Sequence, residues 1–344
     1  MSPGPPRQDC GQFPAKFGTV VRIEAAFENV ADFAEGRGPP MTTRTEAPRP
    51  AGEAAAFYTG QSVFSDPGDM AGLFSDLPRD VGALGRVVRG LLIHRLEPGF
   101  WNVPVDEQRL HDDAETRYVD DILRLIADRS AEPLASPRPY GERFVGICRD
   151  FTLLHVSMLR HVGIPARLRS GFADYFGTDG FHFDHVVTEY WDERRGWLLA
   201  DAEILDTDRY PMDFDPLDVP RDRFLTAGKA WQAVRAGDAD PRTFGLPPAG
   251  SDFTGRWFIA GNIRLDVAAL NKVEPLLWDV WGSGKGDEMD GELLALYDRA
   301  ALISSDDVPF ETARELFATS DELRTPRTVT CYAPFNGPST VTLR

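Results

Sequence analysis

The chain holds 344 residues, 42% hydrophobic and 26% charged, enough for one large domain or two modest ones at about 100 to 200 residues each, which excludes a disulfide-stapled miniprotein or a mostly disordered chain. Asp and Glu outnumber Lys and Arg by 54 to 37, and a net charge of −17 repels polyphosphates and anionic lipid surfaces, so a general nucleic-acid binder is excluded too. No apolar run reaches the ~18 to 20 residues that span a bilayer, the start lacks a basic stretch followed by an apolar one, and three distant cysteines make no disulfide framework. The expectation is a soluble, cytoplasmic protein with no membrane or nucleic-acid partner.

In chain order, residues 1–53 carry Pro3, Pro5, Pro6, Pro14, Pro39, Pro40, Pro48 and Pro50, a density that breaks helical register and predicts a disordered leader. Met41, ahead of a polar Thr-Thr-Arg-Thr-Glu, is a second candidate start, on which reading the first forty residues are a gene-model extension. Residues 54–205 read as a helical lead-in and a core. Leu84, Val87, Val88, Leu91, Leu92 and Ile93 predict a helix over 82–96, Tyr118, Ile122, Leu125 and Ile126 another over 114–128, with 100–104 as a loop between them. A third helix is predicted over 150–162, with Phe151, Leu154, Met158, Leu159 and Val162 on one face, ended by Gly163 and Pro165. The period then changes to two, predicting strands over 185–191 and 196–202 joined by 192–195. Residues 206–344 read as a mainly helical extension packed on the core, with helices over 221–236, 259–270, 292–303 and 310–320. Helices, then strands, then helices make an α+β protein.

The chemistry concentrates between residues 146 and 201. Cys148 stands at the first turn of a predicted helix, where unpaired N–H groups and the positive end of the helix dipole favour a thiolate. The same position suits a small buried thiol. His185 starts an alternating strand whose His185, Val187, Glu189 and Trp191 share a face, and a hairpin through 192–195 brings Asp201 to within about one residue of the position opposite His185. A carboxylate beside an imidazole fixes its tautomer and stabilises the imidazolium that forms when the ring takes a thiol proton. Cys10 falls in the leader and Cys331 near the C-terminus, so neither competes with Cys148.

Gly146, Cys148 and Asp150 at a helix start, Gly163 to Arg167 after it, His185 and Glu189 on a strand, and Gly196, Trp197 and Asp201 on the next resemble the transglutaminase-like superfamily in motif order. The resemblance covers about residues 140–205. It implies a papain-like transglutaminase core, a nucleophile helix packed on an antiparallel sheet, with Cys148 as nucleophile, His185 as general base and acid and Asp201 as orienter. Val187 departs from the Trp that family members often place two residues after the histidine. The run from Trp257 through Asp279 is similar to an extension of some bacterial members.

What the resemblance implies is acyl transfer from an amide or thioester through a thioester on Cys148, ending in hydrolysis or transamidation. The substrate is then a peptide, protein or small amide or thioester, and a cationic amine is a candidate acceptor for so acidic a protein. The alternative is a non-catalytic module that binds a peptide or protein. The Cys148 N–H is one oxyanion donor; Trp101, through its indole N–H, is a candidate for the second, against core packing. No cofactor or metal is expected: His182 and His185 point to opposite faces if the strand reaches that far, and no second cysteine is near. His182 then reads as a loop residue at the cleft mouth, and His155 and His161 as packed or surface residues. Asp150 is expected to cap the helix or pair with Arg167 or Arg169, and Asp213, Asp215 and Asp218 to form a solvated loop. Only Lys16, Lys229, Lys272 and Lys285 are lysines, which codon bias accounts for and which also suits an enzyme that avoids acylating itself.

Overall fold

Residues with helical spacing but no exposed face, and strands whose two faces are both covered, shape this protein. The computed structural model describes residues 52–177, 180–284, 289–305 and 310–344. The expected leader therefore lies outside the described residues, with Cys10 and Met41, except that Gly52 and Glu53 open helix α1 (Gly52–Thr59).

Helix α2 (Val81–Leu91) is capped by Asp80, whose carboxylate accepts the Ala83 N–H at 2.8 Å. It ends earlier than its spacing predicts, because Leu92–His94 leave the helix as strand β1 and pair in parallel with β2 (Phe144–Gly146). Leu91, Leu92 and Ile93 are fully buried, and pairing with a distant strand overrides their local preference. The expected loop begins inside the short helix α3 (Glu97–Trp101), closed by Asn102 at φ 50°. After α4 (Glu107–Asp112), the helix expected from 114 starts only at Val119, as α5 (Val119–Arg129).

Cys148 opens helix α6 (Cys148–His161). Its predicted single apolar face is corrected: every residue from Cys148 to Arg160 is buried, because α2, α5 and a sheet enclose it. That sheet runs β5 (Gly196–Ala200), β4 (His182–Asp192), β3 (Ala166–Ala173) and β6 (Phe224–Thr226), antiparallel throughout, with β7 (Phe244–Gly245) added in parallel to β4. Thr152 donates to the Val186 carbonyl at 2.8 Å, and the His155 ring meets the Thr188 hydroxyl at 3.1 Å, which seats α6 on this sheet. This is an α+β fold with helix α6 packed on an antiparallel sheet.

Strands β6 and β7 lie beyond residue 205, so the sheet continues past the boundary expected there. The helix expected over 221–236 begins at Ala227, as α7 (Ala227–Ala236), because Phe224–Thr226 pair with β3 first and the Thr226 hydroxyl caps the helix. Helix α8 (Arg256–Leu270) packs on β3, and α9 (Gly291–Ile303) and α10 (Phe310–Thr319) pack around it. The extension also holds a small antiparallel sheet of β8 (Asp279–Val280), β9 (Thr328–Ala333) and β10 (Gly337–Thr342), which the mainly helical expectation missed. Its outer strand β10 has few buried side chains, so it carries little apolar alternation to read. Among the described residues, no helix is long and apolar enough to cross a membrane.

A buried ionic chain ties the sheet to α8. Glu189 on β4 faces Arg167 on β3, accepting its Nε at 2.7 Å and the Arg169 Nη1 at 2.9 Å, while Arg169 reaches Asp266 on α8 at 3.0 Å. Burial alone would raise the Glu189 carboxyl, but Arg167, Arg169 and Arg221 outweigh it and hold the group well below the usual carboxylate range. A folded pKa below the unfolded value of about 4.3 gives stability that is present above that pH and lost as pH falls from there. Glu189→Gln leaves buried guanidinium charge short of its partner and should cost about 3 to 5 kcal/mol in urea unfolding at neutral pH. It should also flatten the acid limb of the stability curve below about pH 4.3.

Candidate active site

The Gly-x-Cys-x-Asp spacing has a steric cause. A Cβ on Gly146 would lie 3.0 Å from the Asp150 Cβ and 3.1 Å from its Oδ2, so only glycine leaves room for Asp150 to fold back. There its carboxylate accepts the Ile147 N–H at 2.9 Å and caps the helix as expected. Its arginine is Arg149, at 2.9 Å, and not Arg167 or Arg169, which are held by Glu189. The cap fixes the turn that makes Cys148 the first residue of α6, with its backbone N–H free of the helical ladder.

Strand register delivers the imidazole. Gly171 pairs with His185, and a Cβ there would sit 2.1 Å from the Leu225 carbonyl oxygen, so glycine is what lets β6 close against this part of the sheet. The pairing of Thr188 with Ala200 and Glu189 with Leu199, continued one residue, sets Asp201 opposite Val187. That is two residues from the position opposite His185, not the one residue expected. The difference matters, because an offset of one puts two side chains on opposite faces and an offset of two keeps them on the same face. His185 Nε2 accordingly lies 2.7 Å from Asp201 Oδ2. The Tyr175 hydroxyl donates to the same oxygen at 2.8 Å, and the Glu203 N–H donates to Oδ1 at 3.0 Å. With Nε2–H given to Asp201, the ring's free lone pair is on Nδ1. Phe176 packs edge-on against the ring at 4.9 Å.

The Cys148 thiol is buried and faces the backbone N–H of Val186, the residue next to His185. Burial pushes its pKa well above the ordinary thiol value, the carboxylates of Glu203, Asp184 and Asp201 add to the rise, and the Val186 N–H opposes it. This corrects the expectation of a standing thiolate: desolvation and nearby acids outweigh the helix terminus. Two of those acids are themselves perturbed. Burial pushes Asp184 up to about 6, against the pull of Asn262 and His185, and pushes Glu203 well above the usual carboxylate range. His94, at the end of β1, is driven down to about 3 by burial and by the charges of Arg95, His185 and Arg89, so it stays neutral.

Trp101 is half-buried among Tyr210, Tyr140 and Arg209, whose guanidinium lies 4.1 Å from the indole centroid. His182 is the first residue of β4 and not a loop residue; its ring stacks on Phe244 at 4.6 Å. His155 is buried against α2 and the sheet, while His161 is exposed and meets Phe74 edge-on. Among the described residues no group of three or more His, Cys, Asp or Glu side chains could hold a metal ion. Asp213 and Asp218 pair with Arg223 and Arg195, and Asp215 accepts the Leu217 N–H. Cys331 is buried in β9. Tyr175, Glu203 and His94 were not legible in advance. Only Glu203, two residues past Asp201, stood near a motif; Tyr175 and His94 come from loops and strands whose approach the sequence does not encode locally.

Residues 114–202 match the family model of the transglutaminase-like superfamily. A solved structure from Cytophaga hutchinsonii, named as a "Putative Cysteine Protease", is similar at 16% identity with a TM-score of 0.29, over 52% of this chain and 47% of its own length. This chain thus spans about half of that one. No curated protein is significantly similar to this chain.

Iodoacetamide alkylation of Cys148, followed peptide by peptide across pH, should rise with a midpoint above the roughly 8.5 of a free thiol. A midpoint below that value would contradict the acid-flanked, buried thiol described here.

Proposed function

We propose, from the match of residues 114–202 to the transglutaminase-like superfamily, that the protein is a cysteine-dependent acyl-transfer enzyme acting on an amide or thioester through an acyl-thioester on Cys148. The observation that carries this reading is the His185 to Asp201 hydrogen bond of 2.7 Å, buried on the residue preceding the one whose N–H meets the thiol. In this reading His185 Nδ1 takes the Cys148 proton as the sulfur attacks the carbonyl carbon. Because the thiol rests neutral, proton removal and attack are coupled, and the imidazolium that forms is stabilised by Asp201. The carbonyl oxygen becomes an oxyanion facing the Cys148 N–H at the helix start. Collapse breaks the bond to the leaving group, which takes the proton from the imidazolium. Water or an amine then attacks the acyl-thioester, and a net charge of −17 favours a cationic amine as acceptor.

A second reading, an idle transglutaminase-like module that binds a peptide or protein, is favoured by the burial of the thiol, which disfavours its ionised form. The two readings separate in a single assay. Incubation with p-nitrophenyl acetate should place an acetyl group on Cys148, seen by peptide mass spectrometry, and Cys148→Ala should carry none there. His185→Gln should slow the acylation by about 10²- to 10⁴-fold, the usual worth of a positioned general base. No acetyl group on Cys148 in the unaltered protein would leave the binding module as the better reading.

A further inference from the structure

Glu203 is the charged side chain near the thiol that the acyl-transfer scheme leaves unused. It opens the short turn Glu203–Leu205 directly after Asp201, lies just past the stretch that matches the family, and is 95% buried by its 5% exposure. The turn is pressed against α2, where a Cβ on Gly85 would come within 2.5 Å of Leu205 Cδ1, so its backbone has little room to shift. Glu203 Oε2 is buried with no hydrogen-bond partner, which is costly for a carboxyl oxygen unless a ligand supplies one. Of the carboxylates acting on Cys148, that of Glu203 acts most strongly, ahead of Asp184 and Asp201.

Resting on the acyl-transfer reading, we propose that Glu203 is a further catalytic residue, whose Oε2–H donates a hydrogen bond to the oxyanion formed when Cys148 attacks the substrate carbonyl. In this scheme it is the second donor, with the Cys148 N–H as the first, and its own backbone N–H bonds Asp201 Oδ1 at 3.0 Å. The groups that face Glu203 keep the proton on it. Burial disfavours the anion, the carboxylates of Asp201 and of Glu97 on α3 add to that, and only Arg89 on α2 opposes it. Arg89 is already committed to Glu97, 2.9 Å away. Tyr175 and Tyr210, which also face Glu203, donate hydroxyl hydrogen bonds to Asp201 and Glu97. A neutral acid adds no charge against the developing oxyanion, whereas a carboxylate would repel it. With p-nitrophenyl acetate the balance is simple. The Sγ–C bond forms as the thiol proton moves to His185 Nδ1, and the carbonyl π pair moves onto oxygen, where it accepts the Glu203 O–H without taking its proton. That pair then returns, the C–O bond to p-nitrophenolate breaks, and the leaving group receives the proton from His185.

The test compares acylation of Cys148 by p-nitrophenyl acetate with its alkylation by iodoacetamide, which forms no oxyanion, as a ratio of rates in each variant. Glu203→Ala should lower the ratio about 100-fold, the scale on which one oxyanion donor acts. Glu203→Gln, which keeps an N–H donor at that position, should recover most of the loss. Across pH the ratio should fall in the unaltered protein as Glu203 loses its proton at high pH, and stay flat in Glu203→Gln. An unchanged ratio in Glu203→Ala, or equal losses in the Ala and Gln variants, would overturn the donor role while leaving acyl transfer standing. Failure of the unaltered protein to acylate at Cys148 would overturn both. Because alkylation is read in the same samples, a variant that fails to fold declares itself by uncontrolled reactivity at Cys148 and Cys331, and the Gln variant and the pH profile then decide.

Discussion

Arg169 has no contact with solvent, and the two carboxylates around it decide how the halves of the protein meet. A buried guanidinium needs its charge and its N–H donors answered, and Glu189 on β4 and Asp266 on α8 do so from opposite sides. Glu189 can serve only while it stands opposite Arg167, because a slip of one residue would turn it to the other face of the sheet. The same register puts Gly171 opposite His185 and, through β5, brings Asp201 onto the imidazole's face. An ion network well along the sheet from His185 therefore sets the geometry at the thiol. It also explains why sheet and extension share one core: without Asp266, Arg169 would keep a buried charge only half answered.

Around Cys148 the electrostatic logic is one of suppressed charge. A buried thiol among three acids is a poor thiolate at rest, and burial raises two of those acids as well, Asp184 to about 6 and Glu203 well above the usual carboxylate range. Asp201 remains as the partner of His185 and Tyr175, with both donors on one oxygen. His94 is held neutral by burial and by the cations around it, so the proposed scheme routes the proton through His185 alone. In the proposed scheme, proton transfer and bond formation thus become one event rather than a preformed ion pair waiting for substrate.

Much of this site could be read from residue spacing, because its motifs encode local geometry. The glycine two before Cys148 clears space for the Asp150 cap, and period-two alternation puts His185 and Glu189 on one face. What could not be read depends on distant chain. Leu92–His94 look helical until β2 pairs with them, and Phe224–Thr226 look helical until β3 does. The standing thiolate was inferred from the helix start alone, since burial and the approach of Asp184 and Glu203 are properties of the folded surroundings. The packing of Tyr140 and Arg209 around the Trp101 ring is also not encoded locally. One-sided spacing in α6 likewise hid the fact that its polar positions, Arg149, Asp150, His155 and Arg160, are buried and partnered.

The central claim is that Asp201 acts on the thiol only through His185. A double-substitution cycle on the rate of Cys148 acylation by p-nitrophenyl acetate, with Asp201→Asn, His185→Gln and the two together, tests it most directly. The expected result is that the double variant is as slow as His185→Gln alone, since an orienting carboxylate has nothing to orient once the imidazole is gone. Losses that multiply, with the double variant slower than His185→Gln by the full factor of Asp201→Asn, would show that Asp201 acts independently and contradict the Cys148, His185 and Asp201 relay.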